Sequence, residues 1–111
     1  MPDKGVKFST LFQHTQVICA LEDVGRDEVI KRLVELIAAT GTLSDIGEAC
    51  RLVVQREDLA PSVLAPGVAV PHARVAGLHE LQVAVGTSRG GLPFGPSGAP
   101  VKLVVLILAP E

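Results

Sequence analysis

The chain has 111 residues, of which 48% are apolar and 20% charged, a composition typical of a globular protein rather than a disordered one. Ten basic against twelve acidic residues give a formal net charge of −2, which argues against a nucleic-acid partner. The longest uninterrupted apolar run, residues 103–109, is seven residues long, whereas a membrane span needs about 18, so no direct membrane insertion is expected. No apolar signal segment opens the chain, and we expect a single cytoplasmic domain over residues 1–111.

The first half of the chain predicts a short strand and two helices. Residues 17–21 are rich in β-branched side chains and predict the strand. A helix is predicted after Asp23, because apolar residues recur at helical spacing and Thr40 and Gly41 supply a stop; these residues are Val29, Ile30, Leu33, Leu36 and Ile37.

The second helix is predicted to begin at a cap formed by Thr42 or Ser44. It should end at residues 56–58, because Pro61 cannot continue a helix. Its predicted apolar face consists of Ile46, Ala49, Cys50, Val53 and Val54.

The second half predicts strands separated by turns, and it holds seven of the eight prolines. Residues 68–70 read as a strand stopped by Pro71, and residues 81–85 alternate as a strand with one buried face. Residues 90–98 have turn composition, and residues 101–108 are typical of a central strand covered on both faces. These elements together predict a layered α/β domain, a mixed β-sheet with flanking helices.

Among the three histidines, His14 and His79 lie in polar segments and are interpreted as solvated loop residues. His72 follows directly on a short strand that Pro71 ends, a position where α/β folds place ligands, although a surface histidine after a turn is an open alternative. No residues lie near it at metal-ligand spacing, and no nucleotide-binding motif is present, so neither a metal nor a cofactor is predicted. The two cysteines, Cys19 and Cys50, are interpreted as buried reduced thiols.

An isolated histidine can act alone as a nucleophile toward phosphorus, because neutral imidazole is abundant near pH 7. Such transfer needs cancellation of charge on the phosphoryl oxygens, for which the planar fork of an arginine is suited. Arg56, at the end of the second predicted helix, and Arg74, two residues past His72, are the candidates. Taken alone, each of them is more often a solvated surface residue.

These residues carry a family resemblance. Arg56-Glu57 closes a helix, Pro61-Ser62 follows, and residues 67–74 read G-V-A-V-P-H-A-R. With the apolar run that ends in Ala109-Pro110, this order resembles the enzyme IIA domains of the fructose, mannitol and nitrogen-regulatory class of the bacterial phosphotransferase system.

The resemblance implies that His72 is phosphorylated by the phosphocarrier protein HPr or a similar protein, and that Arg56 faces the phosphohistidine. It also implies that Ser62 supplies a hydroxyl where the family usually has Thr, and we place Arg74 in the same phosphate environment. The partner that follows would be an enzyme IIB cysteine in sugar uptake, or a transporter or regulatory protein in nitrogen regulation. The alternative is a non-catalytic regulatory module of the same fold that binds proteins.

The family pattern continues past the Ala-Pro strand end with a second active-site histidine and covering helices. This chain ends at Glu111, and neither His14 nor His79 occupies that position. We therefore expect a domain that is incomplete at its C-terminus, with an apolar sheet face that favours self-association.

Overall fold

The computed structural model describes residues 15–18, 21, 24–94 and 100–111, with the backbone alone for residues 15–18. Its helices are α1 (Arg26–Ala38) and α2 (Ile46–Leu59). Its strands are β1 (Thr15–Ile18), β2 (Val63–Ala65), β3 (Val68–Ala69), β4 (His72–Val75), β5 (Gln82–Pro93) and β6 (Pro100–Pro110). The predictions that concern His14, Cys19, Asp23 and residues 95–98 lie outside the described residues.

The strands form one mixed sheet in the order β1-β5-β6-β3-β2, and β4 pairs with β6 farther along the same side as β3. β6 is antiparallel to β5 and parallel to both β3 and β4, which makes it the central strand. β1 is parallel to β5 on the far side. The layered α/β fold with a mixed sheet is confirmed.

Helix α1 follows the predicted pattern. Asp27 and Glu28 lie in its first turn, where negative charge is favourable toward the helix dipole. Past its end, Gly41 has φ +82°, a left-handed conformation that favours glycine. Its buried face supplies much of the core, at about 1.5–3 kcal/mol for each large side chain: Val29, Ile30, Leu33, Val34 and Ile37.

The N-terminal cap of α2 corrects the prediction. Asp45 is the capping residue, and its carboxylate accepts the Glu48 backbone N–H at 3.0 Å, whereas the Thr42 hydroxyl bonds to the hydroxyl of Thr40. Ile46, predicted to face the core, is 39% exposed at the first turn. The helix ends at Leu59, one residue past the predicted end. Neither of the two described helices is both long and apolar enough to cross a membrane.

An ion pair joins the start of α1 to the end of α2. One guanidinium nitrogen of Arg26 lies 2.8 Å from Asp58 Oδ1, while its Nε donates to Asp27 at 2.8 Å. The hydrogen bond to Asp27 and the one to Asp58 raise the pKa of Arg26. The pair commits Asp58 to the helix junction, away from the neighbouring Arg56.

The helices cover one face of the sheet. On that face Ala84 and Gly86 of β5 lie opposite Leu106 and Val104 of β6, and all four are buried. Gly86 is needed here because the buried Leu21 side chain packs directly against it: a Cβ on Gly86 would collide with Leu21, whereas Leu33 Cδ2 of α1 lies at 3.4 Å, an ordinary contact distance. Gln82, on the same face opposite Leu108, is also buried, although its polarity had suggested the other side.

The second face of β6 is less covered than predicted. Leu103, Val105 and Ile107 alternate with the fully buried residues and are only partly buried. Among the described residues no helix lies over them, so the expectation of a strand covered on both faces is wrong for this part of the chain. The self-association expected from such a face stays a prediction.

Part of the segment predicted as a turn is strand. β5 continues to Pro93, and its pairing with β6 shifts between Thr87 and Leu92. Gly91 in this interval has φ +85°, which permits the irregularity. The glycines therefore allow the strand to bend without ending it.

We predict that Gly86→Ala destabilises the domain by about 1–3 kcal/mol, because a methyl group there overpacks against the buried Leu21 side chain. Urea denaturation followed by circular dichroism measures the loss. Gly90→Ala is the matched control, since it lies in the same strand and a Cβ there meets nothing within 4 Å. Equal stability of the two variants would contradict the close packing of Leu21 on Gly86.

Candidate functional site

His72 is the first residue of β4, rather than the end of the strand before it. β3 ends at Ala69 and β4 begins at His72, and both strands pair with β6. Pro71 interrupts the ladder only briefly, because its carbonyl accepts the Ile107 N–H at 3.0 Å. His72 therefore follows a two-residue break between two strands on the same side of β6.

The His72 ring is held by its own backbone. Nδ1 lies 3.0 Å from the Val70 carbonyl oxygen, and a carbonyl can only accept, so Nδ1 carries the proton in this hydrogen bond. In the neutral ring Nε2 then keeps its lone pair, and the side chain is exposed. The arrangement presents a nucleophilic nitrogen to a partner without needing a separate base.

The alternation of β4 decides what each of its residues faces. Ala73 and Val75 are buried on the side of the sheet that α2 covers, whereas His72 and Arg74 are exposed. His72 pairs with Ile107 and therefore shares the less covered face of β6. The histidine is thus open to a docking protein on the face away from the helices.

Two predicted arginines meet at one depression of about 220 Å³ between the end of α2 and β4. It is lined by Leu52, Gln55, Arg56, Leu59, Ala73 and Arg74. The structure therefore brings Arg56 and Arg74 together, beside Ala73, the chain neighbour of His72. The His72 side chain itself is not part of this lining.

The Arg56 guanidinium makes no hydrogen bond or ion pair with any residue in the described part of the chain. Both acidic neighbours are committed elsewhere: Glu57 accepts a backbone N–H from Ser62, and Asp58 pairs with Arg26. By contrast, Arg32 of α1 and Arg51 of α2 each form an ion pair with a carboxylate of the same helix. Arg56 is exposed and available to an incoming anion.

Arg74 is nearly as uncommitted. Within the described part of the chain its one hydrogen-bond contact is a 3.5 Å approach of Nη1 to the Pro110 carbonyl oxygen, at the limit of a hydrogen bond. Two cations therefore line one depression with little internal neutralisation, which is a favourable environment for a phosphoryl group.

The Ser62 hydroxyl, which the resemblance places near the phosphate, lies inside the fold. Ser62 is 5% exposed, and its Oγ is buried without a hydrogen-bond partner among the described residues. Its backbone is fully engaged instead, since its N–H donates to Glu57 Oε2 at 2.8 Å and its carbonyl accepts the Val70 N–H at 3.0 Å. The backbone of Ser62, rather than its hydroxyl, connects it to the histidine.

We predict that Ser62→Ala raises the free energy of unfolding of the unphosphorylated protein by about 1 kcal/mol, because an unpaired buried hydroxyl is costly. Chemical denaturation checks this, with Ser44→Ala, at an exposed position, as the control. A clear loss of stability in Ser62→Ala would show that the hydroxyl is paired in solution.

Sequence reasoning missed Glu57 as a site residue. It is 3% exposed, although it carries a charge at the end of a helix. A signal was present: Glu57 follows Ala49 and Val53 at intervals of four, on the buried face of α2. An acidic residue on an apolar helical face needs a partner, which Ser62 supplies.

The other singled-out residues lie apart from this site. His79 is exposed and lines a separate depression with Gly41, Thr42, Ser44, Gly77, Glu80 and Gln82. Cys50 is a free thiol in the groove between the helices, where burial raises its pKa. Cys50 is therefore less buried than predicted, although a raised pKa favours the protonated thiol.

The comparisons with known proteins agree with this geometry. The family model "Phosphoenolpyruvate-dependent sugar phosphotransferase system, EIIA 2" matches residues 10–111. The chain is 34% identical over 104 residues to the PTS system 2-O-alpha-mannosyl-D-glycerate-specific EIIABC component of Escherichia coli, covering 91% of this chain and 16% of that protein.

Solved structures share the fold. The nitrogen regulatory protein IIA-Ntr from Neisseria meningitidis superimposes with a TM-score of 0.73 at 27% identity, covering 88% of this chain and 66% of that one. Enzyme IIA mannitol, in its complex with phosphorylated enzyme IIB mannitol from Escherichia coli, has a TM-score of 0.73 at 21% identity, covering 86% of this chain and 67% of that one.

The chain belongs to the EIIA 2 family of the phosphoenolpyruvate-dependent sugar phosphotransferase system. It spans 16% of the length of the curated relative and 66% of the IIA-Ntr chain.

Proposed function

We propose that this chain is a phosphocarrier domain in which His72 Nε2 accepts a phosphoryl group from an HPr-like protein and passes it to an enzyme IIB. The observation that carries the proposal is the hydrogen bond from His72 Nδ1 to the Val70 carbonyl, which leaves Nε2 unprotonated in an exposed ring. Family membership supports the reaction class.

The proposed step is an in-line transfer between two histidines. The Nε2 lone pair attacks phosphorus and forms a new P–N bond, while the P–N bond of the donor breaks and its electron pair returns to the donor ring. His72 keeps its Nδ1 proton, so the phosphorylated ring is cationic. The Val70 carbonyl then accepts a charge-assisted hydrogen bond, which stabilises that ring.

Arg56 and Arg74 are proposed to bring positive charge to the phosphoryl oxygens. Both line the depression beside β4, and neither is neutralised by a carboxylate among the described residues. His72 faces away from α2, so the proposal requires the exposed Arg56 side chain to reach Nε2 around the outer edge of β4, a strand that pairs with β6 alone among the described strands. The role of Ser62 in this environment is proposed to be a backbone one.

The partner on the product side is proposed to be an enzyme IIB cysteine. The mannitol enzyme IIA of the same fold forms a complex with phosphorylated enzyme IIB, and the 34% identity to a sugar-specific component favours the sugar branch. The likeness to IIA-Ntr at 27% identity supports the alternative, a regulatory module that binds a transporter or regulatory protein. Either role would place the protein in the cytoplasm.

We predict that incubation with phosphoenolpyruvate, enzyme I and HPr adds one acid-labile phosphate, and that His72→Ala abolishes it. His79→Ala is the matched control and should be phosphorylated normally, because His79 lies in a separate depression. Mass spectrometry of the intact protein measures the mass added by one phosphoryl group. A folded wild-type protein that takes up no phosphate would overturn the phosphocarrier proposal in favour of the regulatory module.

We predict that Arg56→Ala slows phosphorylation by about 10²–10³-fold, in the range found when one preorganised donor to a developing anion is removed. Arg89→Ala, an exposed arginine of β5 outside the depression, is the charge-matched control. Equal rates for the two variants would show that Arg56 has no role in the transfer.

A further inference from the structure

We propose that Glu57 is a positioning residue, which fixes the His72 ring through a chain of three hydrogen bonds that runs from α2 through two loop residues. The ring position rests on the structure alone, and only the kinetic consequence rests on the proposed function. Glu57 touches neither the ring nor the depression that holds the arginines.

The first bond anchors the loop after α2. Glu57 Oε2 accepts the Ser62 N–H at 2.8 Å, and both residues are buried, at 3% and 5% exposure. The carboxylate reaches across Pro61, where the chain leaves the helix. A bond to a charged acceptor in a buried setting is short and strong, so it sets where Ser62 lies.

The second bond passes the position of Ser62 to the segment before His72. The Ser62 carbonyl accepts the Val70 N–H at 3.0 Å. Val70 lies in the two-residue break between β3 and β4, where it is not paired to β6 as a strand residue. β2 is antiparallel to β3 with Val63 opposite Ala69, so the bond between Ser62 and Val70 extends that pairing by one residue toward His72.

The third bond holds the ring. The Val70 carbonyl accepts the proton of His72 Nδ1 at 3.0 Å. Val70 is flanked by held residues, since Ala69 pairs with Val63 and Val104 and the Pro71 carbonyl is bonded to Ile107. The bond to Ser62 is the one that holds the Val70 N–H itself. The three hydrogen bonds are coupled through the positions of Ser62 and Val70. Each of these residues donates through its N–H and accepts through its C=O, which belong to two different peptide groups, so the bonds do not polarise one another directly.

The consequence is a preference for one tautomer of His72. While the chain is intact, the neutral ring carries its proton on Nδ1 and leaves Nε2 free. When Glu57 can no longer hold Ser62, the bond to the Val70 N–H weakens and the Val70 carbonyl is less firmly aimed at Nδ1, although Ala69 and Pro71 stay paired. The neutral ring then regains access to the Nε2–H tautomer, which is not nucleophilic at that atom. A displacement of about 1 Å at a reacting group can cost about 10²-fold in rate, and we expect a loss of that order.

The test measures the ring nitrogens of His72 by long-range ¹H–¹⁵N correlation in the unphosphorylated, ¹⁵N-labelled full chain. His72→Asn assigns the signals. In the unsubstituted protein we expect the Nδ1–H tautomer; in Glu57→Ala we expect a mixture with Nε2–H. Glu57→Gln should retain the Nδ1–H pattern, since its amide oxygen can accept the same bond, and should phosphorylate at a near-normal rate.

Glu57→Asp replaces Glu57→Ala in the test if the alanine variant does not fold. Aspartate keeps the charge, but its side chain is shorter by one methylene and is expected to lose the bond to the Ser62 N–H. Asp58→Asn is the matched control: it removes the adjacent charge, which pairs with Arg26, and should leave the His72 tautomer unchanged. An unchanged tautomer in folded Glu57→Ala or Glu57→Asp overturns the proposal, as does an equal change in Asp58→Asn. A tautomer change in a chain that takes up no phosphate would support the positioning role and refute the phosphocarrier function alone.

Discussion

The parallel pairing of β6 with two successive short strands is the constraint on which the site depends. β3 and β4 share one side of β6, and the chain crosses from one to the other through Val70 and Pro71. Pro71 has no N–H to donate, so the ladder breaks there and resumes at His72. The break turns the Val70 carbonyl toward the histidine instead of toward β6, and this one hydrogen bond orients the ring.

The helices contribute the charge. α2 packs over the buried side of β4, which places its last turn, with Arg56, beside the strand that begins at His72. The two acidic residues after Arg56 would neutralise it if they faced the same way. Glu57 points inward to Ser62 and Asp58 is held by Arg26, so the depression next to β4 keeps a net positive lining. The fold thus separates charges that are adjacent in the sequence.

Much of the fold could be predicted from the sequence, because periodicity reports burial directly. The spacing of Val29, Ile30, Leu33 and Ile37 located α1, and Pro71 correctly marked a strand boundary next to His72. The motif around Arg56 and His72 indicated the family, and the match of the family model to residues 10–111 confirms it. These features are local, and each depends on residues within one helix or one strand.

The remaining features depend on contacts between distant segments. Gln82 is buried because its register places it opposite Leu108 on the face that the helices cover, which alternation alone cannot reveal. Ser62 holds its hydroxyl inside and uses its backbone instead, a choice made by Glu57 and Val70. The role of Glu57 depends on its bond to Ser62 in the loop after the helix, which the Arg56-Glu57 motif does not indicate.

The hydrogen bond from His72 Nδ1 to the Val70 carbonyl determines which ring nitrogen is free to be phosphorylated. The nitrogen that carries the phosphoryl group therefore tests this bond directly. The position of the phosphoryl group can be read from ³¹P–¹⁵N couplings in the phosphorylated, ¹⁵N-labelled protein. Attachment at Nε2, with the proton retained on Nδ1, is the predicted result. Attachment at Nδ1 would require the hydrogen bond to Val70 to break and would contradict this account of the site.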